Sequence, residues 1–244
     1  MTTALALPAP VDTGWSRVAS IARVQIVSWR LLLAWPIAIL AVAFTIPWVI
    51  FALVDTGQQY NVTGSVLSAY GFVVAFYMVS MTQMMPFTIG LGSTRRQFVA
   101  AVTAIGLAES FVFAAAFQTL SVLEAATGGW GVDMRMFGVL RFVTDSTVLQ
   151  FLCYFATMSF VVALAMLLGA IQHRWPTTGI LAAGAVVIGV GGLAAIVLTW
   201  TQSWSSLWSW SADSPRAVTL VALPLCVAAA CLAGAWQVVR NDSP

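Results

Sequence analysis

Residues 31 to 54 read LLLAWPIAILAVAFTIPWVIFALV. No residue in this stretch carries a charge. As an α-helix its 24 residues rise about 36 Å. That is enough to cross the ~30 Å hydrocarbon core of a bilayer with some tilt. Pro36 and Pro47 do not argue against a helix here, because neighbouring helices in a membrane bundle satisfy the carbonyls that proline leaves free. Five further apolar runs follow, over residues 66–91, 98–125, 146–171, 178–200 and 217–239. The chain therefore reads as an all-α integral membrane protein of six transmembrane helices.

Composition agrees. The 244 residues are 61% hydrophobic and only 7% charged, against roughly 25% charged in an average soluble domain. So few charges cannot clothe a water-facing surface, and lipid is the remaining solvent. The formal net charge is +2, from ten arginines and eight acids, with no lysine. A Walker-type phosphate loop needs a lysine on the β/γ-phosphates. The chain is thus not expected to hold a standard ATP site, and any ATP would be hydrolysed by a separate subunit. Cys153, Cys226 and Cys231 all lie inside apolar runs, which suits small apolar filler better than a disulfide framework or metal cluster.

Ahead of the first span, residues 1–14 are expected to be a flexible N-terminus without a cleavable signal. Residues 15–30 read WSRVASIARVQIVSWR. On a helix, Trp15, Val18, Ala22, Ile26 and Trp29 share one face; Arg17 falls opposite, with Arg23 and Arg30 on the flank. This spacing predicts an amphipathic helix lying in the membrane interface. The connectors are polar: DTGQQYNVTGS at 55–65, a short basic turn GSTRRQ at 92–97, QHRWPT at 172–177, the tryptophan-bearing loop 201–216, and a tail RNDSP at 240–244. Residues 126–145 carry Gly-Gly and four charges. They are too polar to span, and a loop containing a short helix near the membrane surface is expected. Nothing marks a second domain, so residues 31–239 form one six-helix domain.

Arginine placement gives the orientation. With both termini inside, Arg17, Arg23, Arg30, Arg95, Arg96, Arg174 and Arg240 face the cytoplasm, and Arg135, Arg141 and Arg216 face out. Seven against three favours N-in, C-in by the positive-inside rule.

Several chemistries lose support by elimination. His173 is the single histidine and falls in a cytoplasmic turn, which excludes a bis-histidine haem within the chain and leaves no base at membrane depth for a protease. No three-ligand zinc cluster is visible. The chain is not expected to be catalytic by itself. Glu109 is the acid at membrane depth, about 16 Å into its span by helical rise. Such a group is a functional candidate by default. It either binds a cation or proton, or hydrogen-bonds a partner such as Gln83 or Gln150 and holds helices together. Met78, Met81, Met84 and Met85, with Phe72, Phe76 and Tyr77, make the second span rich in soft and aromatic groups. Such a surface adapts to varied apolar ligands, or simply packs. The glycines of the fifth span allow a close helix approach, within or between subunits.

The stretch MMPFTIGLGSTRRQFVAAVTAIGLAES at 84–110 resembles the region between the second and third spans of bacterial, especially actinobacterial, ABC-type export permeases. Pro86, Phe87, Gly90, Gly92, Ser93, Thr94, Arg95, Arg96 and Phe98 match its pattern. The resemblance implies that the turn Gly92, Ser93, Thr94, Arg95, Arg96, Gln97 and Phe98 docks on an ATP-binding cassette subunit and receives its motion. It implies two such ATPases, which would bind ATP and Mg²⁺, and a second copy of this chain or a related permease. It implies a translocation path between the halves lined by spans two and five, involving Phe76, Met78, Met81, Met85 and Glu109. The expectation is a permease subunit in the bacterial plasma membrane exporting an amphipathic or lipophilic compound, with no nucleic-acid partner. An ion-coupled secondary transporter and a non-transporting scaffold or sensor subunit remain the competing readings.

Overall fold

The computed structural model describes residues 29–54, 57 and 60–241, and of residues 29–33 the backbone only. The chain forms α1 (Trp29–Leu53), α2 (Leu67–Gly90), α3 (Arg95–Ala126), α4 (Thr147–Arg174), α5 (Gly179–Trp200), α6 (Trp204–Asp213) and α7 (Val218–Arg240). All but the short α6 are long and apolar enough to cross a membrane, six helices among the described residues. This is a multi-pass membrane protein. Trp15, Arg17 and Arg23 of the expected interfacial helix lie outside the described residues. Trp29 and Arg30, expected at its end, are the first two residues of α1.

Helix ends follow local chemistry. Ser146 caps α4 by accepting from the Leu149 N–H at 3.4 Å. At its other end α4 runs on to Arg174, so Gln172 and His173 are helical rather than part of a turn. The break comes at Trp175, whose backbone (φ −132°, ψ 81°) has left the helical region, as the clash with a following proline ring demands of the residue before Pro176. The expected loop 201–216 contains a helix, α6, entered through a reversal at Gln202 (φ 53°).

Two helices widen by one residue per turn just ahead of a proline. In α2, the Met85 N–H reaches back five residues to the Ser80 carbonyl, next to Pro86. In α7, the Leu223 N–H does the same to Val218, next to Pro224. Proline has no N–H, and its ring crowds the carbonyl four residues back. A single π turn relieves that crowding without ending the helix.

α4 sits at the centre, packed against α2, α3, α5 and α7. Lipid tails are as apolar as the helices, so association relies on close contact and on polar pairs. Small residues mark the crossings. A Cβ on Gly169 would lie 2.8 Å from Met81 Cβ and 3.1 Å from Met78 Cα, so α2 and α4 touch there almost backbone to backbone. Gly106 brings α3 to within the same reach of Val162 on α4 and Tyr77 on α2. α5 is different: beyond Gly179, which packs on Ile171 and Trp175, its residues are exposed or half-buried. A Cβ on Gly184, Gly189, Gly191 or Gly192 would meet nothing within 4 Å beyond its own helix among the described residues.

The end of the bundle opposite the GSTRRQ turn is closed by the loop between α3 and α4. Its strand β2 (Met134–Arg135) pairs in parallel with β1 (Asn61–Val62) from the loop between α1 and α2. The expected short helix is a 3₁₀ turn over Gly138–Phe142. Met134, Met136 and Phe137 are buried, so this segment plugs the end of the bundle. Gly129 (φ +76°) has no room for a side chain, since a Cβ would lie 2.7 Å from the Met134 nitrogen.

What holds the plug is Glu124, fully buried near the end of α3. Its Oε2 accepts from the N–H groups of Met136 (2.9 Å) and Phe137 (2.8 Å) and from the Trp130 indole (3.4 Å). Its Oε1 accepts from the Gly138 N–H at 3.0 Å, with the Arg135 guanidinium 3.9 Å away. Every partner is a donor, so a side-chain amide would turn an NH₂ group toward N–H groups. Glu124→Ala and Glu124→Gln are both expected to destabilise the protein by at least about 3 kcal/mol. Thermal unfolding in detergent reads this; a Gln variant as stable as the parent would contradict the donor-only reading.

Candidate functional site

The turn between α2 and α3 is locked from both sides. On the α2 side, Ser93 N–H bonds the Thr88 carbonyl (3.2 Å) and Gly92 N–H the Ile89 carbonyl (2.9 Å), with Gly92 at φ +88°. This six-to-one and five-to-two pair is a Schellman ending, and its left-handed position suits glycine. On the α3 side, Thr94 Oγ1 accepts from Gln97 N–H (3.3 Å) while Gln97 Oε1 accepts from Thr94 N–H (3.1 Å). That reciprocal capping box satisfies two donors that the start of a helix leaves open. Thr94 is thus the N-cap of α3. Phe98 is buried one turn later and anchors the entry of α3 in the core.

The two arginines of this turn differ. Arg95 is half-buried, and its guanidinium donates to the Val239 carbonyl at 3.2 Å. Arg174, at the end of α4, donates to the Val238 carbonyl at 3.3 Å and lies over the Trp175 ring. Both thus satisfy carbonyls in the last turn of α7, which have no helical donor of their own. Arg96 is exposed. The short link therefore joins α2 rigidly to α3, fastens α3 to α7, and presents Arg96 outward.

Inside the bundle, the structure distributes the expected path residues. Met81 and Met85 are fully buried in the core; Phe76 and Met78 are half-buried. Glu109 is buried, and its partner is neither Gln83 nor Gln150. Tyr77 donates its hydroxyl to Glu109 Oε2 at 2.5 Å. Gln83 sits on an exposed face of α2. Gln150 accepts from Gln118 at 3.3 Å and donates to the Thr144 carbonyl at 2.7 Å. Glu109 Oε1 is enclosed and has no hydrogen bond. The site can therefore offer one carboxylate oxygen to a small donor or cation while the other is held by Tyr77. Among the described residues no three His, Cys, Asp or Glu side chains come together to hold a metal ion.

Two site residues were not singled out from sequence in these roles. Tyr77 was grouped with the aromatics, although a tyrosine at lipid depth needs a partner for its hydroxyl. Glu124 lies near the end of the third apolar run and has no role assigned from sequence. Its spacing from Glu109, Phe113 and Phe117 places it on the same buried side of α3, and that periodicity was the available signal.

Comparison of the chain with protein-family models, with curated proteins and with solved structures gives no match.

Tyr77→Phe removes the one donor to a buried carboxyl group, and an unsatisfied buried group costs about 1–3 kcal/mol. Glu109→Gln keeps a carbonyl for the Tyr77 hydroxyl. Tyr77→Phe is therefore expected to lower the melting temperature more than Glu109→Gln, and Tyr77→Phe/Glu109→Leu to recover part of the loss. Thermal denaturation of the purified variants decides; a Tyr77→Phe protein as stable as the parent would remove the pair from the account.

Proposed function

We propose that the chain is the membrane-spanning permease subunit of an ABC-type exporter in a bacterial plasma membrane, driven by ATP hydrolysed on a separate subunit. The observation that carries this reading is the turn from Gly92 to Phe98. Its Schellman ending and capping box make it stiff, Arg95 ties it to α7, and Arg96 stands free of the bundle surface. A push on such a link moves α2, α3 and α7 together. A loose loop would absorb the same push. The absence of lysine fits an arrangement in which the nucleotide is held elsewhere.

In this reading two halves assemble, each with an ATPase. The open flanks of α5 are the natural place for a second permease to meet the chain. The cargo is an amphipathic or lipophilic compound passing between the halves. Phe76 and Met78 then contribute to the path, whereas Met81 and Met85 fix α2 against the core. The competing reading, an ion-coupled carrier, draws on one observation, the unbonded Oε1 of Glu109.

Purified in mild detergent from its native host, the chain is expected to bring down an ATPase of the cassette type. Arg96→Glu should leave the chain folded yet lower substrate-stimulated ATP hydrolysis several-fold, because the exposed cation would meet an acidic partner surface. Arg95→Glu should add a loss of thermal stability, because it also releases α7. Full stimulated hydrolysis in both variants would refute the docking role of the turn.

A further inference from the structure

The plug between α3 and α4 holds two arginines that the transport reading does not use. Arg135 and Arg141 line one cavity of about 230 Å³ with Tyr60, Ala125, Gly138 and Phe142. The charges in it do not balance. Glu124, whose carboxylate lies within 4 Å of Arg135, already accepts from three backbone N–H groups and the Trp130 indole. It approaches Arg135 only to 3.9 Å, beyond hydrogen-bond reach. Arg141 has a neutral partner, the Ser121 hydroxyl at 3.1 Å from Nε. Among the described residues it makes no ion pair with a carboxylate.

The walls are selective as well. The Arg135 guanidinium lies 5.2 Å from the centre of the Tyr60 ring, and Tyr60 meets Phe142 edge to face at 5.8 Å. Tyr60 and Phe142 are both exposed. The hollow is therefore lined by guanidinium groups and aromatic rings together. It lies at the end of spanning helices, where a bilayer places its headgroups.

We propose that this cavity binds a phosphate-type oxyanion, with Arg141 and Arg135 as its cationic wall and the Tyr60–Phe142 pair shielding the bound group. Arginine suits this because its planar fork matches phosphate oxygens in pairs. Two sources supply that chemistry at a membrane surface: the phosphodiester of an anionic phospholipid and free phosphate. The site is independent of how the chain is driven.

The test uses the full chain in neutral detergent, with melting temperature followed by intrinsic tryptophan fluorescence. Phosphatidylglycerol, phosphatidylcholine and sodium phosphate are titrated separately, with sodium chloride as the ionic-strength control. A saturable rise with phosphatidylglycerol alone assigns the site to lipid, and a rise with phosphate assigns it to the soluble ion. Arg141→Gln is expected to weaken the responding ligand about tenfold, the loss of one charge-assisted hydrogen bond, and Arg141→Lys to weaken it less. Ala125→Leu narrows the cavity while leaving both arginines in the chain, so it tests the site even if Arg141→Gln folds poorly; it should abolish the shift. The proposal is overturned if neither phosphatidylglycerol nor phosphate raises the melting temperature above the chloride control. It is equally overturned if Arg141→Gln or Ala125→Leu responds as the parent does.

Discussion

The carboxylate of Glu124 is the acceptor on which one whole end of the bundle converges. Its donors come from the loop backbone and the Trp130 indole, with the Arg135 guanidinium 3.9 Å away. Each of these groups leads to another helix. Trp130 packs its ring on Phe44, and its carbonyl accepts from the Trp48 indole, which brings in α1. Arg135 belongs to the strand that pairs with Asn61–Val62, which brings in the entrance to α2. The Phe137 carbonyl accepts from the Tyr154 hydroxyl, which brings in α4. Buried backbone groups need a partner inside the protein, so an acceptor that gathers them all sets where four helices end.

The other end is held by a mirror logic with the signs exchanged. There the open groups are carbonyls at the end of α7, and the arginines Arg95 and Arg174 supply the donors. Between the two ends, contact depends on small residues at Gly106 and Gly169 and on the Tyr77–Glu109 bond. The result is a body of α1, α2, α3, α4 and α7 held at its two ends, with α5 packed on it around Gly179 and largely exposed beyond. In a transporter, such a body moves as a unit while α5 is free to meet a neighbour. In the proposed exporter, the turn from Gly92 to Phe98 is where a push from the ATPase would enter that unit.

The spans were legible in the sequence because twenty or more apolar residues in a row have one cheap solution in a bilayer. Their ends fall within a few residues of expectation. The helical part of 172–174 was hidden because Pro176, not the charge of Arg174, decides where α4 stops. α6 was read as a loop because serine and tryptophan are weak helix formers and its periodicity is short. The partner of Glu109 was not legible: candidates by polarity were Gln83 and Gln150, but rotation about each helix axis points Gln83 outward and commits Gln150 to Gln118 and Thr144. The role of Glu124 depends on long-range folding of the loop back onto α3, which composition does not encode. The cap at Thr94 and the left-handed Gly92 rest on local chemistry, but which residue of Gly92–Thr94 takes which part is set by the Schellman ending and the capping box.

The central claim is that movement of cargo is driven by ATP hydrolysed on a partner and delivered through the α2–α3 turn. Its most direct test is transport of a lipophilic fluorescent cation into inverted membrane vesicles from cells that make this chain together with the ATPase it brings down. The account predicts uptake that needs hydrolysable ATP, stops with vanadate and survives a protonophore. Uptake that proceeds on a proton gradient without ATP, and collapses with the protonophore, would contradict it.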